Sequence, residues 1–171
     1  NWDADSLGNH RAIVQFNGTG PIARVVIPWR WRGSNPDKKR VVVEDGQTNQ
    51  KILDVKIVSI TRESGELYFE PTSGIGVYYI YYMPYKNEGR SNYPRGVYLA
   101  PELTASTEWL SKINDKVPEA TVVELQSIDT FNSFYPMEVI ATKSETDSLI
   151  QKNGNTSFLI FPEDRLHSIR M

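Results

Sequence analysis

The chain contains 171 residues with a formal net charge of −2, and 39% of the residues are hydrophobic while 23% are charged. This size suits one domain, and the composition is that of a globular protein rather than a disordered one. The nearly balanced charge gives no support for nucleic-acid binding, and no stretch approaches the ~20 apolar residues that a membrane helix needs. The absence of cysteine excludes disulfides, thiolate zinc sites and a cysteine nucleophile.

The first half of the chain is predicted to form consecutive short strands. Runs rich in β-branched and aromatic residues alternate with clusters of turn residues. The predicted strands cover residues 11–16, 22–31, 40–44, 52–61, 66–70 and 76–83. Strands at this spacing are typical of an antiparallel β-sandwich, and we assign its core to residues 1–94.

The second half of the chain carries helix signals. Ser106 can cap a short helix over 107–114, and Pro118 suits the first turn of a helix over 119–129. Further predicted elements are a strand over 137–142, a helix over 144–152 and a strand over 157–161. We therefore expect a mainly β fold with a helix-containing α/β extension over 95–171 (α+β), and helices confined to about 106–152.

The strongest strand signal is the run GVYYIYYM at 76–83. Its alternation places Tyr78, Ile80 and Tyr82 on one face and the remaining tyrosines, Tyr79 and Tyr81, on the other. Because both faces are largely apolar, we expect both to be covered. One face would belong to the sandwich core, and the other would contact the helices of the second half or a partner domain.

A first candidate site consists of Trp29, Arg30, Trp31 and Arg32. In a strand, the two tryptophans share the face of Val25 and the two arginines share the other face. The tryptophans either belong to the core or lie past its edge, where flat rings stack on sugars or on another domain and arginines donate hydrogen bonds. Because strand ends leave the core, we expect at least one tryptophan in a contact surface.

A second candidate site lies in the polar and aromatic segment over 84–94, which is predicted as a long loop. It is either a rigid connector pinned by prolines or a surface that contacts a ligand or another domain. The candidate contact residues are Tyr85, Arg90, Asn92 and Tyr93.

Nothing in the sequence predicts catalysis, a metal site or a cofactor. Hydrolysis by a pair of carboxylates requires that both face one bond, whereas the neighbours Glu163 and Asp164 would point to opposite faces of an extended segment. His10 and His167 have no second ligand at metal-binding spacing and are expected to be structural. We assign no catalytic residue, no metal ligand and no cofactor.

Four groups of residues resemble one known family. They are GNHRA at 8–12, IPWR at 27–30 with NPDKK at 35–39, YYIYYMPY at 78–85 with GRSNYP at 89–94, and FNSFYPME at 131–138 with FPEDR at 161–165. Together they look like the N-terminal region of large bacterial glycoside hydrolases related to the family 123 β-N-acetylgalactosaminidases. The resemblance covers nearly the whole chain.

The resemblance implies a β-sandwich-like region ahead of a separate (β/α)₈ barrel that holds the family's Asp-Glu pair. Since such a barrel needs about 250 residues, it is absent from this chain. We therefore expect one non-catalytic accessory domain over 1–171 that packs against and orients the barrel. The alternative is a carbohydrate-binding module that uses the tryptophan, tyrosine and arginine residues named above.

The expected partner is the catalytic domain of the same polypeptide, and in the alternative also a glycan. Neither nucleic acid nor a membrane span is expected. The expected location is outside the cytoplasm of a Gram-negative bacterium, in the periplasm or at the cell surface.

Overall fold

A computed structural model describes residues 2–29, 35–82, 84–90 and 93–127, together with residue 151. Ten strands run through these ranges: β1 (His10–Phe16), β2 (Ala23–Ile27), β3 (Val41–Asp45), β4 (Lys51–Ile52), β5 (Val55–Ile60), β6 (Gly65–Phe69), β7 (Gly76–Tyr82), β8 (Tyr85–Arg90), β9 (Tyr93–Tyr98) and β10 (Thr121–Ser127). Two short α-helices, α1 (Ala4–Leu7) and α2 (Thr107–Ser111), and a 3₁₀ turn at Pro36–Lys38 complete the described elements.

The strands form a five-stranded sheet in the order β10-β1-β7-β3-β4, a three-stranded sheet in the order β2-β6-β5, and the separate pair β8-β9. The strand pairs in all three sheets are antiparallel. In β1, β2 and β6 the buried side chains recur at every second position, so each of these strands has one face in the core.

The hydrophobic core lies between the five-stranded and the three-stranded sheet. Val14, Ile80 and Val43 extend into it from the larger sheet, and Val25 and Leu67 meet them from the smaller one. Two antiparallel sheets that share one core form a β-sandwich. The prediction of a mainly β, antiparallel sandwich is confirmed.

The central strand β7 is covered on both faces, as predicted. Tyr78, Ile80 and Tyr82 lie in the sandwich core, and Tyr81 is buried on the outer face of the sheet. The sequence predicts that helices of the second half or a partner domain cover the outer face. Among the described residues the N-terminal segment covers it instead, and packs Leu7 of α1 against Tyr81.

The predicted helix over 119–129 is wrong, because this segment forms strand β10 at the edge of the five-stranded sheet. The main-chain groups of Pro118 and Ala120 pair with those of Arg24 at 2.9 and 2.7 Å, so the chain is already extended where the helix was to begin. The β-branched residues that follow then pair with the free edge of β1, with a bulge between Ile13 and Val14. Pairing with β1 therefore outweighs the helix start that Pro118 suggests.

Three other boundaries differ from the sequence prediction. The strand over 22–31 ends at Ile27, and the strand over 52–61 is divided between the two sheets as β4 and β5. The helix after Ser106 exists, and the Ser106 hydroxyl accepts a hydrogen bond from Trp109 N at 3.2 Å, but it ends at Ser111. Helix α1, a single turn, lies outside the range to which helices were confined.

The predicted strands over 137–142 and 157–161 lie outside the described residues. The same holds for the predicted helix over 144–152, apart from residue 151, and for the residues Glu163, Asp164 and His167. The α/β character of the extension stays a prediction.

Candidate functional site

Trp29, the first of the predicted contact residues, lies in the core. Its side chain is fully buried, its Nε1 donates a hydrogen bond to Thr61 O at 3.1 Å, and its ring centroid lies 4.9 Å from that of Tyr82. The prediction that Trp29 contacts a sugar or another domain is wrong, because its ring is buried in the core. Arg30, Trp31 and Arg32 lie outside the described residues.

The segment over 84–94 is not a loop, which corrects the prediction. Strands β8 and β9 form an antiparallel hairpin that is separate from both sheets of the sandwich. The register brings Arg90 opposite Tyr93 at the tip of this hairpin and Tyr85 opposite Tyr98 at its base. Arg90 is exposed, and Asn92 lies outside the described residues. The hairpin therefore joins three of the predicted contact residues in one element.

A cleft of about 510 Å³ opens at one edge of the sandwich, between β5, the strands β3 and β4, and residues 101–105. Strand β5 ends the three-stranded sheet, and its inward-facing Ile57, which pairs with Leu67, is still 38% exposed. The cleft walls are mainly aliphatic, with Val41, Ile52, Val55, Ile57, Ile60 and Leu110 among them. We call this cleft and its rim the open edge.

Residues 101–105, which we call the strap, form one wall of the cleft. Glu102 is bound by two cations: it accepts a hydrogen bond from Lys51 at 2.6 Å and forms an ion pair with Arg40 at 2.7 Å. Beside it, the Thr104 hydroxyl donates to the main-chain oxygen of Leu53. Between these anchored residues, Leu103 is fully exposed, with a relative accessibility of 102%. The strap therefore holds a leucine out into solvent.

The charges of the open edge are mainly positive. Lys39, Lys51 and Lys56 lie on the cleft with Asp37 and Glu102. The hydrogen bond from Lys51 is the largest influence on Glu102 and, against partial burial, holds the pKa of that carboxyl below its usual range. Burial, followed by repulsion from Arg62, lowers the pKa of Lys39. Glu102 is thus held in its ionised form.

A second cluster lies on the outer face of the five-stranded sheet. The guanidinium of Arg11 is placed between two rings, 4.5 Å from the centroid of Trp2 and 4.4 Å from that of Tyr79. Its Nε donates to Gln126 Oε1 at 2.8 Å, and Trp2 Nε1 donates to Gly8 O at 2.8 Å. These contacts connect the N-terminal segment with β1, β7 and β10.

The open edge offers an apolar surface for contact, and positively charged side chains surround this surface. In the described ranges there is no group of three His, Cys, Asp or Glu residues that could hold a metal ion. Within the same ranges no helix has the length and apolar character needed to cross a bilayer. Sequence reasoning missed the open edge because its exposure depends on which strand ends a sheet. The only sequence signal was the apolar Leu103 in a segment without strand or helix pattern.

Comparison with protein families identifies one match, described as "Glycoside hydrolase 123, N-terminal domain", over residues 1–128. Comparisons with curated proteins and with solved structures found no match. The matched range contains both sheets of the sandwich, the hairpin, the strap and the open edge. It includes about three quarters of the 171 residues and confirms the family seen in the sequence motifs. The chain therefore belongs to the family of glycoside hydrolase 123 N-terminal domains.

Proposed function

We propose that this chain is a non-catalytic accessory domain that packs against the catalytic domain of its own polypeptide and orients it. The observation that carries the proposal is the open edge: an aliphatic cleft that continues into exposed apolar side chains. Ile57, Leu103 and Leu110, which line the cleft, are all at least partly exposed. Contiguous apolar surface of this kind marks contact surfaces in soluble proteins.

The lining of the cleft favours a protein partner over a sugar. Sugar rings are recognised by flat aromatic faces together with a few polar groups. None of the described residues that line this cleft is aromatic, and its walls are branched aliphatic side chains. Branched aliphatic groups interdigitate with other side chains, as they do inside a protein core.

Family membership supports a partner within the same polypeptide. A domain that is N-terminal in a glycoside hydrolase is followed by more of the same polypeptide, and linkage raises the effective concentration of the neighbour to about the mM range. Interfaces between domains of one chain are modest in size and mixed in polarity. An aliphatic cleft rimmed by lysines fits that description.

The acids of the open edge are poorly suited to glycoside hydrolysis. A general acid needs a raised pKa so that it carries a proton near neutral pH. Glu102 has the opposite environment, since two cations bind it and its pKa is lowered. The proposal accordingly leaves catalysis to the barrel that the sequence resemblance implies, in a protein exported to the periplasm or the cell surface of a Gram-negative bacterium.

A second candidate function, glycan binding, is favoured by one observation on the hairpin. Arg90 is exposed at the tip, and the strand register brings Tyr93 opposite it. Such a pair can hydrogen-bond and stack on a sugar. Calorimetric titration with glycans that contain N-acetylgalactosamine distinguishes the two functions: binding that Arg90→Ala abolishes supports the glycan function.

The test of the packing function uses the 171-residue chain and the polypeptide that follows it in the same protein. We expect the separately produced parts to associate, with a dissociation constant below about 1 mM, which suffices for docking when the parts are linked. We also expect this domain to unfold at a higher temperature in the linked protein than in the isolated chain. Absence of association, together with identical unfolding in both contexts, would refute the proposal.

A further inference from the structure

Leu103 is an unusual residue for a solvent-facing position, because the strap around it is fixed. Glu102 is bound by two cations, and the main-chain N of Ser106, just after the strap, donates to Asp54 Oδ1 at 2.6 Å. A fixed leucine that contacts only water loses the benefit of burial without the compensation of flexibility. Such a preorganised apolar group lowers the entropy cost of docking.

We propose that Leu103 is the anchor of the interdomain contact, and that it enters an apolar pocket rimmed by carboxylates on the catalytic domain of the same polypeptide. The inference deepens the proposed packing function and rests on it. Full burial of a leucine at an interface is equivalent to about a tenfold to a hundredfold gain in affinity.

The carboxylate rim follows from the charges around the anchor. Lys56 lies on the cleft and is exposed, and Lys39 lies 4.1 Å from the ring centroid of Tyr98 with its ammonium group beside the same cleft. Around the cleft the cations Lys39, Arg40, Lys51 and Lys56 outnumber the carboxylates Asp37 and Glu102. The rim therefore carries a net positive charge, which complements acidic groups on a partner and speeds its encounter.

The same charges disfavour the other occupants. A second copy of this chain would bring the same net positive rim against the first one, which is repulsive across a symmetric interface. A small aliphatic ligand would fill the cleft but would leave Leu103 in solvent. A carboxylate-rimmed apolar pocket uses the leucine, the cleft rim and the lysines together.

Thiol labelling tests the anchor, because the chain contains no cysteine that could interfere. Leu103→Cys is labelled in the 171-residue chain and in the longer protein that continues into the catalytic domain, and the modified peptide is quantified by mass spectrometry. The matched control is Val123→Cys, on a residue 65% exposed in β10, at the opposite edge of the five-stranded sheet. We expect labelling at 103 to be at least tenfold slower in the longer protein, and labelling at 123 to be unchanged.

The outcomes separate this inference from the packing function. Slow labelling at 123 with fast labelling at 103 means that the domain docks by its other edge, so the packing function stands and the anchor is refuted. Equal labelling at both positions in both proteins refutes the anchor, and the association test decides the packing function independently. Protection at 103 in the 171-residue chain that grows with protein concentration identifies a second copy as the occupant and also refutes the inference.

A charge variant gives a second measurement that does not depend on a reactive thiol. Lys56→Glu reverses a rim charge without touching the leucine. We expect it to weaken the association of the two parts by about tenfold at low salt and by less at high salt, because salt screens exposed charges. An affinity that is unchanged at low salt contradicts the carboxylate rim.

Discussion

The indole ring of Trp29 lies directly on the backbone of Gly65. A Cβ atom at position 65 would stand 2.1 Å from both Cη2 and Cζ2 of the ring, so only glycine leaves room for it. Gly65 begins β6 and pairs with Ile27 and Ile60 on its two neighbours. One missing side chain in the three-stranded sheet thus provides the place in which the largest aromatic residue of the core is buried.

The first prediction concerns this pair. Gly65→Ala should lower the free energy of unfolding by about 1–3 kcal/mol, the usual cost of overpacking, because the ring is packed on all sides and cannot retreat. Trp29→Ala should cost about 3–5 kcal/mol through the cavity that it leaves. Denaturant unfolding at equilibrium measures both. In the double variant the cost of the new methyl group should largely disappear, and strict additivity of the two losses would contradict the packing contact.

The second prediction concerns acid stability through Asp45, a carboxylate only 1% exposed. Its oxygens accept hydrogen bonds from the main-chain N of Gln47 and Thr48 at 2.8 and 3.2 Å and from the Thr72 hydroxyl at 2.7 Å. Burial alone would raise the pKa of Asp45, but these bonds and one from Ser73 outweigh it and lower the pKa. We expect Asp45→Asn to cost about 1–3 kcal/mol at pH 7.

The pH dependence of that cost follows from the sign of the shift. A carboxyl with a lowered pKa in the folded state contributes its stability above its pKa in the unfolded chain, about 3.9, and loses it as the pH falls through the folded value. The difference in the free energy of unfolding between Asp45→Asn and the unsubstituted chain should therefore be smaller at pH 3 than at pH 7. A difference that is constant across this range would contradict the assignment.

The third prediction concerns Arg11 and the N-terminal segment. Arg11→Lys keeps the charge but loses the planar group that contacts Trp2 and Tyr79 and the Nε that donates to Gln126. We expect a loss of about 1–2 kcal/mol and faster proteolytic cleavage of the segment before β1. The control is Arg90→Lys, at an exposed position of the hairpin, which should change neither measurement. Equal protease resistance of Arg11→Lys and the unsubstituted chain would mean that the ring contacts do not hold the segment.

The fourth prediction concerns the ion pairs of the strap. Glu102→Gln removes the charge that Arg40 and Lys51 share, yet these groups are partly exposed, so the domain should lose no more than about 1 kcal/mol. In the linked protein, labelling of Leu103→Cys should nevertheless become faster when Glu102→Gln is added, because the strap is less firmly held. Unchanged labelling in that double variant would show that the two ion pairs do not position the leucine.

Local pattern was sufficient for the centre of the sandwich. The alternation of Tyr78, Ile80 and Tyr82 with Tyr79 and Tyr81 predicted a strand covered on both faces, and β7 is such a strand. The family could also be predicted from the sequence, because its motifs are short runs of consecutive residues. Properties carried by neighbours along the chain are readable from the chain alone.

Properties that depend on residues far apart in the sequence could not be predicted from it. Val122 and Leu125 suit a helix as well as a strand, and only the free edge of β1 decides between them. Trp29 lies at a strand end in the sequence, but Gly65 and Tyr82 come from other strands to enclose it. The open edge could not be predicted for the same reason, since no local signal says that β5 ends its sheet.

The pairing of β1 with β10 has a consequence for how the protein is made. His10 is opposite Ser127, so β1 leaves the ribosome well before β10 and receives this neighbour only after more than a hundred further residues have been added. Until then one edge of β1 has main-chain groups without strand partners, next to an apolar face, which is a typical starting point for aggregation. Shortened chains that stop before Thr121 should therefore accumulate as insoluble protein during expression, whereas chains that include Ser127 should be recovered folded.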